Sequence, residues 1–279
     1  MAATVEALGP AHLESLKALL LREPVLNLYL LGLLEDFGIV PGPGRAPFAF
    51  HGRFDAGALT AVLFVGGGGG LVVPSASSPK QVSDIAHALG PKVALRAAQG
   101  ERAAVDALLT CFQRKPKVSR LQRLFSVSAD DLGPFTNPTL RLAVEGDLPQ
   151  LVTMAAASIE EMLGRRPLEE DPEGFPLRVR QRILSKRTYV LEEKGKLVFK
   201  IDVGSRSMHG AELEGLYTVP DERRRGHATL SLGQISRHLL SSLPRLTLRV
   251  DDQDPARAGV ARKVGYLARG NQRLVLCDG

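Results

Sequence analysis

The segment from Leu213 to Leu232, LEGLYTVPDERRRGHATLSL, constrains the fold of this chain more than any other stretch. A β-type run ends at Pro220, because proline lacks the N–H group that a central strand needs. A basic turn with one glycine follows, from Arg223 to Ala228, and apolar residues at near-helical spacing continue from Leu230. The pattern therefore predicts a strand, a short basic turn and a helix in direct succession.

A junction of this kind is suited to binding an anion. The first turn of a helix leaves backbone N–H groups unpaired and carries partial positive charge, so phosphate groups bind there. Gly226 and the small Ala228 let backbone amides approach a ligand closely. The segment has neither the Gly-Lys-Ser/Thr of a Walker loop nor the GxGxxG of a dinucleotide site. The sequence predicts a phosphate loop of another kind, and the alternative is a solvated turn that caps a helix.

The loop resembles the acyl-CoA pyrophosphate loop of the GNAT superfamily of N-acyltransferases. The family pattern is Arg/Gln-x-x-Gly-x-Gly/Ala after a strand that ends in valine and proline. It is matched here by Val219-Pro220 and by Arg223, Gly226 and Ala228. The resemblance implies that acetyl-CoA is the acyl donor and that a backbone N–H near Thr218 or Val219 supports the developing oxyanion. It implies that residues at the strand end and in the loop contact this acyl donor, namely Tyr217, Thr218, Val219, Arg223, Arg224, Arg225, Gly226, His227, Ala228 and Thr229.

A second segment extends the resemblance. Leu246 to Val250 alternates like a strand, and residues 260–266, VARKVGY, are similar to the family's Leu-Tyr-x-Lys-x-Gly-Phe/Tyr. Asp254 falls on the family's asparagine position, which implies contact with the pantetheine side, and Arg257 follows it as a further donor contact. Ala261 stands where the family has a tyrosine that often serves as the general acid. The acid would therefore be Tyr217, another group or water.

The reaction implied is acetyl transfer to a primary amine, which must first lose a proton. Glu212 and Glu214 lie two residues apart on the predicted strand and so share a face. Either could act as the general base, directly or through a water, and Glu214 is favoured for its nearness to the thioester. The alternative is that both are cross-strand charges facing water. The acceptor is left open among a protein lysine, a protein N-terminus, an amino acid and a small molecule.

The order of elements predicts an α/β (α+β) chain of two tandem GNAT-like domains, each a mixed, mostly antiparallel sheet flanked by helices. Residues 1–135 are predicted to be a degenerate domain without a phosphate loop, since Ser75 to Pro79 offers no positive charge at the corresponding position. Residues 138–279 are predicted to be the acyl-CoA-binding domain. This arrangement resembles a bacterial group in which a degenerate GNAT-like domain precedes an active-looking one.

Local patterns give further expectations for individual elements. Gly66 to Gly70 predicts a hairpin connection, because no lysine or helix start follows the glycines. Strands are predicted over Lys92 to Ala97 and Leu140 to Val144, and Asp147 is predicted to cap a helix through Met162.

Composition narrows the function classes. The net charge of +6 is spread through both halves and tryptophan is absent, which does not indicate a dedicated nucleic-acid surface. The sequence contains no apolar run of about 18 residues, so no membrane span is predicted. The N-terminus does not resemble a signal peptide. Cys111 and Cys277 cannot form a Cys-x-x-Cys metal site, and no metal ligands are predicted.

We therefore expect a cytoplasmic N-acetyltransferase. The alternative is a non-catalytic acyl-CoA-binding or scaffold protein with a protein partner, and tRNA-dependent aminoacyl transfer is a weaker third possibility.

Overall fold

The computed structural model describes residues 3–67 and 70–278. Within these residues the α-helices are α1 (Leu13–Leu20), α2 (Pro24–Phe37), α3 (Pro79–Leu89), α4 (Arg102–Cys111), α5 (Leu148–Leu163), α6 (Pro167–Glu170), α7 (Gly174–Leu184), α8 (His227–Leu240) and α9 (Pro255–Val264). The strands are β1 (Thr4–Ala7), β2 (Ala49–Asp55), β3 (Ala58–Gly66), β4 (Leu71–Ala76), β5 (Ala97–Glu101), β6 (Pro116–Val127), β7 (Arg141–Leu142), β8 (Thr188–Glu193), β9 (Lys196–Ser207), β10 (Gly210–Thr218), β11 (Leu246–Asp251) and β12 (Leu267–Cys277).

The chain forms two compact units that are interleaved in sequence. The first comprises residues 1–124, 249–254 and 268–279, and the second comprises residues 125–248 and 255–267. The predicted division, 1–135 and 138–279, is a single cut, whereas these units meet between residues 124 and 125 and the chain later returns to the first unit twice. The second return contains β12, which pairs antiparallel with β5 from Gln272 opposite Glu101 to Leu276 opposite Ala97. A pairing between segments so far apart in sequence leaves no local pattern.

The sheet of the first unit has the strand order β1-β2-β3-β4-β5-β12-β6. The pairs β1–β2, β2–β3, β3–β4 and β5–β12 are antiparallel, and β4–β5 is parallel. Side chains of β3 alternate between two apolar clusters, because successive residues of a strand point to opposite faces. Val62 joins α1 and α2, whereas Leu63 joins α3 and α4. The sheet is thus covered by helices on both faces.

The sheet of the second unit has the order β11-β10-β9-β8-β7, in which only β10–β11 is parallel. Helices α5 and α7 pack an apolar cluster against it that includes Val190 and Leu197. Both units are therefore mixed, mostly antiparallel sheets flanked by helices, and the predicted fold class is confirmed.

Several local predictions can be compared with the structure directly. Gly66 pairs with Leu71 in the β3–β4 hairpin as predicted, although Gly68 and Gly69 lie outside the described residues. The strand predicted over Lys92 to Ala97 is wrong, since β5 begins only at Ala97. Leu95, which is fully buried, has φ of +42°, and this backbone conformation cannot continue an extended strand. The strand predicted over Leu140 to Val144 is reduced to the two residues of β7.

Asp147 precedes α5 as predicted, but its side chain does not cap that helix. Its carboxylate accepts hydrogen bonds from Arg141 Nη1 at 2.7 Å and Nη2 at 3.0 Å, and from the Val144 N–H at 2.8 Å. The Arg141 guanidinium, helped by the Val144 N–H, holds the pKa of the Asp147 carboxyl below its usual range. The carboxylate thus joins β7 to the turn before α5.

Replacing Asp147 by asparagine is expected to lower the free energy of unfolding by about 2 kcal/mol at neutral pH, as for the loss of hydrogen bonds to a charged group. Because the folded-state pKa is depressed, this contribution is complete above the unfolded-state pKa of about 3.9 and is lost as pH falls through the folded-state value. Urea unfolding of both proteins over a pH series measures the difference. A difference that does not shrink in acid would contradict the assignment.

Candidate functional site

β10 carries a bulge at Gly215. Glu214 lies opposite Asp202 and Tyr217 lies opposite Lys200, so β10 has one extra residue between these two pairs. Gly215 has φ of +59°, and a Cβ there would lie 2.6 Å from Asp202 Oδ2 and 2.8 Å from Lys200 Nζ. Both the backbone conformation and the neighbouring side chains therefore require glycine.

The bulge brings Glu214 and Tyr217 to one face of the sheet. In a regular strand, residues three apart would point to opposite faces. Glu214 Oε1 lies 2.6 Å from Arg182 Nη1 on α7, and Tyr217 packs in the apolar cluster that includes Val179 and Ile183 of the same helix. The candidate base and the candidate acid thus share the α7 face, which the sequence could not reveal.

A buried group of charges supports the bulge. Lys200 Nζ lies 2.6 Å from Asp202 Oδ2 and donates a hydrogen bond to the Gly215 carbonyl at 2.9 Å. Thr188 Oγ1 donates to Asp202 Oδ1 at 2.7 Å. Lys200 and Asp202 are both almost fully buried, so each depends on these partners. Sequence reasoning missed this group, although its signal is visible as two charges at alternate positions of the apolar run 197–203.

The two glutamates predicted as candidate bases differ in their access to solvent. Glu212 is 3% exposed and lies in register with Ser205 on β9 and Thr247 on β11. The Glu214 side chain is 35% exposed. Only Glu214 can therefore exchange a proton with solvent without movement of the sheet.

One edge of β10 is open beyond Leu213. Pairing of β10 with β11 is confined to Ala211–Leu213 and Leu246–Leu248, and within the described residues of the second unit no other strand pairs there. The Val219 N–H donates to the Val198 carbonyl at 3.0 Å, which occupies one of the two predicted oxyanion donors. Successive N–H groups of a strand point to opposite edges, so the Thr218 N–H faces the open edge.

The predicted phosphate loop leads from this strand into α8. Residues 220–222 form a 3₁₀ turn, Arg224 has φ of +63° and Gly226 has φ of +89°. Helix α8 begins at His227, and its first turn contains no acidic residue. The N–H groups of its first residues have no intrahelical acceptor. A Cβ on Gly226 would meet nothing within 4 Å, so the space before the helix is open.

The three arginines of the loop have different environments. Arg223 donates to Glu161 Oε2 at 2.6 Å and to the Thr218 carbonyl at 3.0 Å. The bond to Glu161 raises the pKa of Arg223 above its usual value. Arg225 Nη1 lies 2.6 Å from Glu222 Oε2, whereas Arg224 is exposed and forms no ion pair in the part of the chain that the structure describes. Arg223 thus stabilises the loop, whereas the Arg224 guanidinium has no ion-pair partner among the described residues.

His227 contributes its backbone to the loop, but its imidazole is directed elsewhere. The side chain is only 12% exposed, with Nδ1 at 3.6 Å from Glu193 Oε1 and Nε2 at 3.7 Å from Glu222 Oε2. Ala228 and Thr229 follow it in the first turn of α8.

The remaining predicted residues lie on or near α9. Asp254 is in the turn before this helix, where its N–H donates to the Asp251 carbonyl at 2.9 Å, and it belongs to the first unit. Arg257 Nη1 lies 3.2 Å from Met162 Sδ on α5. Ala261 is fully buried in α9. That Asp254 and Arg257 contact the acyl donor stays a prediction.

The first unit, like the second, contains a parallel strand pair. β4 pairs with β5 at Leu71 opposite Ala97 and Val72 opposite Ala98, and β3–β4 runs without a register shift. A Cβ on Gly100 would lie 3.0 Å from Pro74 Cδ and Cγ, so the β5 backbone packs closely against that proline. Among the described residues of this unit, only Ser77 and Ser78 connect β4 to α3. That this unit has lost a phosphate loop stays a prediction.

Comparison with known proteins bears on the fold. No protein-family model matches the chain, and no curated protein matches it by sequence. A GNAT-family acetyltransferase from Colwellia psychrerythraea is 14% identical with a TM-score of 0.59, covering 99% of this chain and 100% of its own. A protein from Drosophila is 14% identical with a TM-score of 0.70, covering 99% of both chains. A tandem GNAT protein from the clavulanic acid biosynthesis pathway is 11% identical with a TM-score of 0.56, covering 100% of this chain and 99% of its own.

These similarities extend over the whole chain, and they establish its fold. The protein has the fold of the GNAT acetyltransferases in a tandem arrangement, so the resemblance inferred from the loop is confirmed at the level of the fold. Over residues 3–67 and 70–278, none of the helices combines the length and apolar character needed to cross a bilayer.

Proposed function

We propose that the protein is an acetyl-CoA-dependent N-acetyltransferase that acts on a primary amine and holds the acyl donor in its second unit. One combined observation carries this proposal: β10 is bulged and has one edge open beyond Leu213, and it leads through a basic loop into a helix start free of acidic residues. This arrangement offers a strand edge for the pantetheine and a helix N-terminus for the pyrophosphate.

The pyrophosphate is held mainly by backbone groups. The N–H groups of His227, Ala228 and Thr229 and the partial positive charge of the α8 N-terminus are its principal partners. Arg224 adds a charge-assisted contact from the exposed side of the loop. Arg223 keeps the loop in place through Glu161 and Thr218.

Replacing Arg224 by glutamine is expected to weaken acetyl-CoA binding about tenfold, since one charge-assisted contact is lost. The matched variant Arg225→Gln removes a cation that Glu222 already neutralises, so its expected effect is smaller. Calorimetric titration with acetyl-CoA measures both affinities. A larger loss in Arg225→Gln would reverse the assignment of the two arginines.

The thioester lies at the open edge of β10 near Thr218. The N–H of Thr218 points to the developing negative charge on the thioester oxygen, a contribution of about 3 kcal/mol for one oxyanion donor. Tyr217 and Val219 flank this position on the strand, while the N–H of Val219 stays bonded to Val198. Asp254 and Arg257 are proposed as further donor contacts.

Proton transfer is assigned to groups on the α7 face. Glu214, through a water, takes a proton from the acceptor ammonium, so that the free amine can attack the thioester carbonyl carbon. The carbon–sulfur bond then breaks, and the leaving thiolate must gain a proton. Ala261 cannot supply that proton, so Tyr217 or water does.

Two observations favour a second candidate, a non-catalytic acyl-CoA-binding protein with a protein partner. Glu214 is paired with Arg182 at 2.6 Å, and the family's tyrosine position holds the buried Ala261. In that case the loop binds the donor and no acetyl group is transferred.

Acetyl-CoA binding by calorimetry, with thiol release followed in the same sample, tests the proposal. Binding with slow thioester hydrolysis supports an acetyltransferase and identifies conditions for a screen of primary amines. Binding with no turnover on water or on any amine in the screen supports the second candidate. Absence of binding would refute both.

A further inference from the structure

We infer that Glu193, Glu222 and His227 form a binding site for a divalent transition-metal ion of the zinc type. Each residue offers one ligand atom, and these atoms all lie within 4.8 Å of one another. The inference goes beyond the proposed acetyl transfer and does not depend on it.

The three side chains come from separate elements of the second unit. Glu193 ends β8, Glu222 lies in the 3₁₀ turn after β10, and His227 opens α8. The His227 side chain is 12% exposed, the Glu222 side chain 24% and the Glu193 side chain 43%. The site is thus closed on the histidine side and open to solvent beside Glu193, where an ion can enter and keep a water ligand.

One candidate ligand atom, His227 Nε2, is buried without a hydrogen-bond partner in the described part of the chain. Buried polar atoms without partners are uncommon, and each costs about 1–3 kcal/mol. Glu222 Oε2 is already ion-paired, since Arg225 Nη1 lies 2.6 Å from it. A cation bound between His227 and Glu222 would satisfy His227 Nε2 and would replace Arg225 as the partner of the Glu222 carboxylate.

The separations fit coordination better than hydrogen bonding. The imidazole nitrogens lie 3.6 and 3.7 Å from the nearest carboxylate oxygens, beyond hydrogen-bond distance. Zinc ligands at about 2.0–2.2 Å from the ion lie roughly 3.4 Å from one another in a tetrahedral site. An ion uses one ring nitrogen, so the more exposed Glu193 must rotate to join His227 and Glu222.

The ligand set decides which ions fit. One imidazole nitrogen with two carboxylates suits zinc and related transition metals, whereas magnesium and calcium prefer oxygen ligands alone. A bound ion would tie the β8–β9 hairpin to the start of α8 and draw Glu222 away from Arg225.

The test is a calorimetric titration of the metal-stripped full chain with zinc chloride, in a non-thiol reductant and without acetyl-CoA. We expect one equivalent of zinc to bind and magnesium to bind far more weakly. His227→Gln should lower the zinc affinity at least about 100-fold, since even an outer-shell change costs about 10–100-fold. The control His238→Gln changes an exposed histidine near the other end of α8 and should leave the affinity unchanged.

Glu193→Gln provides a second variant at an exposed position, where folding is not at risk. It should also weaken zinc binding, and zinc should raise the Tm of the parent and of His238→Gln more than that of either site variant. No zinc binding by the parent would overturn the inference. Equal affinity in His227→Gln and the parent would also overturn it, and would leave His227 as an ion-pair partner of the two glutamates.

Discussion

Replacing Gly226 by aspartate is expected to abolish acetyl-CoA binding. Gly226 adopts φ of +89° immediately before α8, and the space that its Cβ would enter is open. In the proposed complex that space holds the pyrophosphate, so the new carboxylate would lie close to a like charge. Two unit charges about 4 Å apart near a protein surface repel by about 4 kcal/mol, which corresponds to roughly a thousandfold loss of affinity.

The matched control is Gly226→Asn, which has nearly the same shape and no charge. Asparagine tolerates the left-handed backbone conformation better than most residues, so this variant isolates the steric part of the effect. Calorimetry with acetyl-CoA should give an affinity for Gly226→Asn between those of the parent and Gly226→Asp. If Gly226→Asp bound acetyl-CoA as the parent does, the placement of the donor at this loop would be wrong.

The loop could be predicted from sequence because its signals are local. Pro220, the arginines and Gly226 lie within a few residues of one another. Pro220 ends a strand, Gly226 permits a left-handed backbone conformation, and the arginines supply positive charge. The fold that this segment implied is the one observed. The sequence could not predict in the same way that Arg223 is ion-paired while Arg224 is exposed. The partner of Arg223 is Glu161, on a helix far away in sequence.

Two features of the structure depend on strand pairings that cannot be read from a local sequence pattern. The bulge at Gly215 arises from the register of β10 against β9, and the sequence shows only a glycine between glutamate and leucine. That one extra residue decides that Glu214 and Tyr217 share a face. The return of residues 268–279 to the first unit likewise depends on the pairing of β12 with β5, two segments far apart in sequence.

Replacing Glu214 by glutamine is expected to lower acetyl-CoA hydrolysis by about 10²–10⁴-fold, the usual contribution of a general base. Glutamine keeps the shape of the side chain and can still accept a hydrogen bond from Arg182, so donor binding should not change. Because water can replace the unidentified amine, thiol release measures the effect without knowledge of the acceptor. Calorimetry on the same protein separates a loss of turnover from a loss of binding.

The control for this variant is Glu212→Gln, on the same strand and before the bulge. Glu212 is almost fully buried, so its replacement should affect the free energy of unfolding more than the rate of hydrolysis. Equal losses of hydrolysis in both variants would mean that strand packing, and not proton transfer, limits the rate. If hydrolysis by Glu214→Gln matched the parent, Glu214 would be only the partner of Arg182, and the base would have to be sought elsewhere on the α7 face.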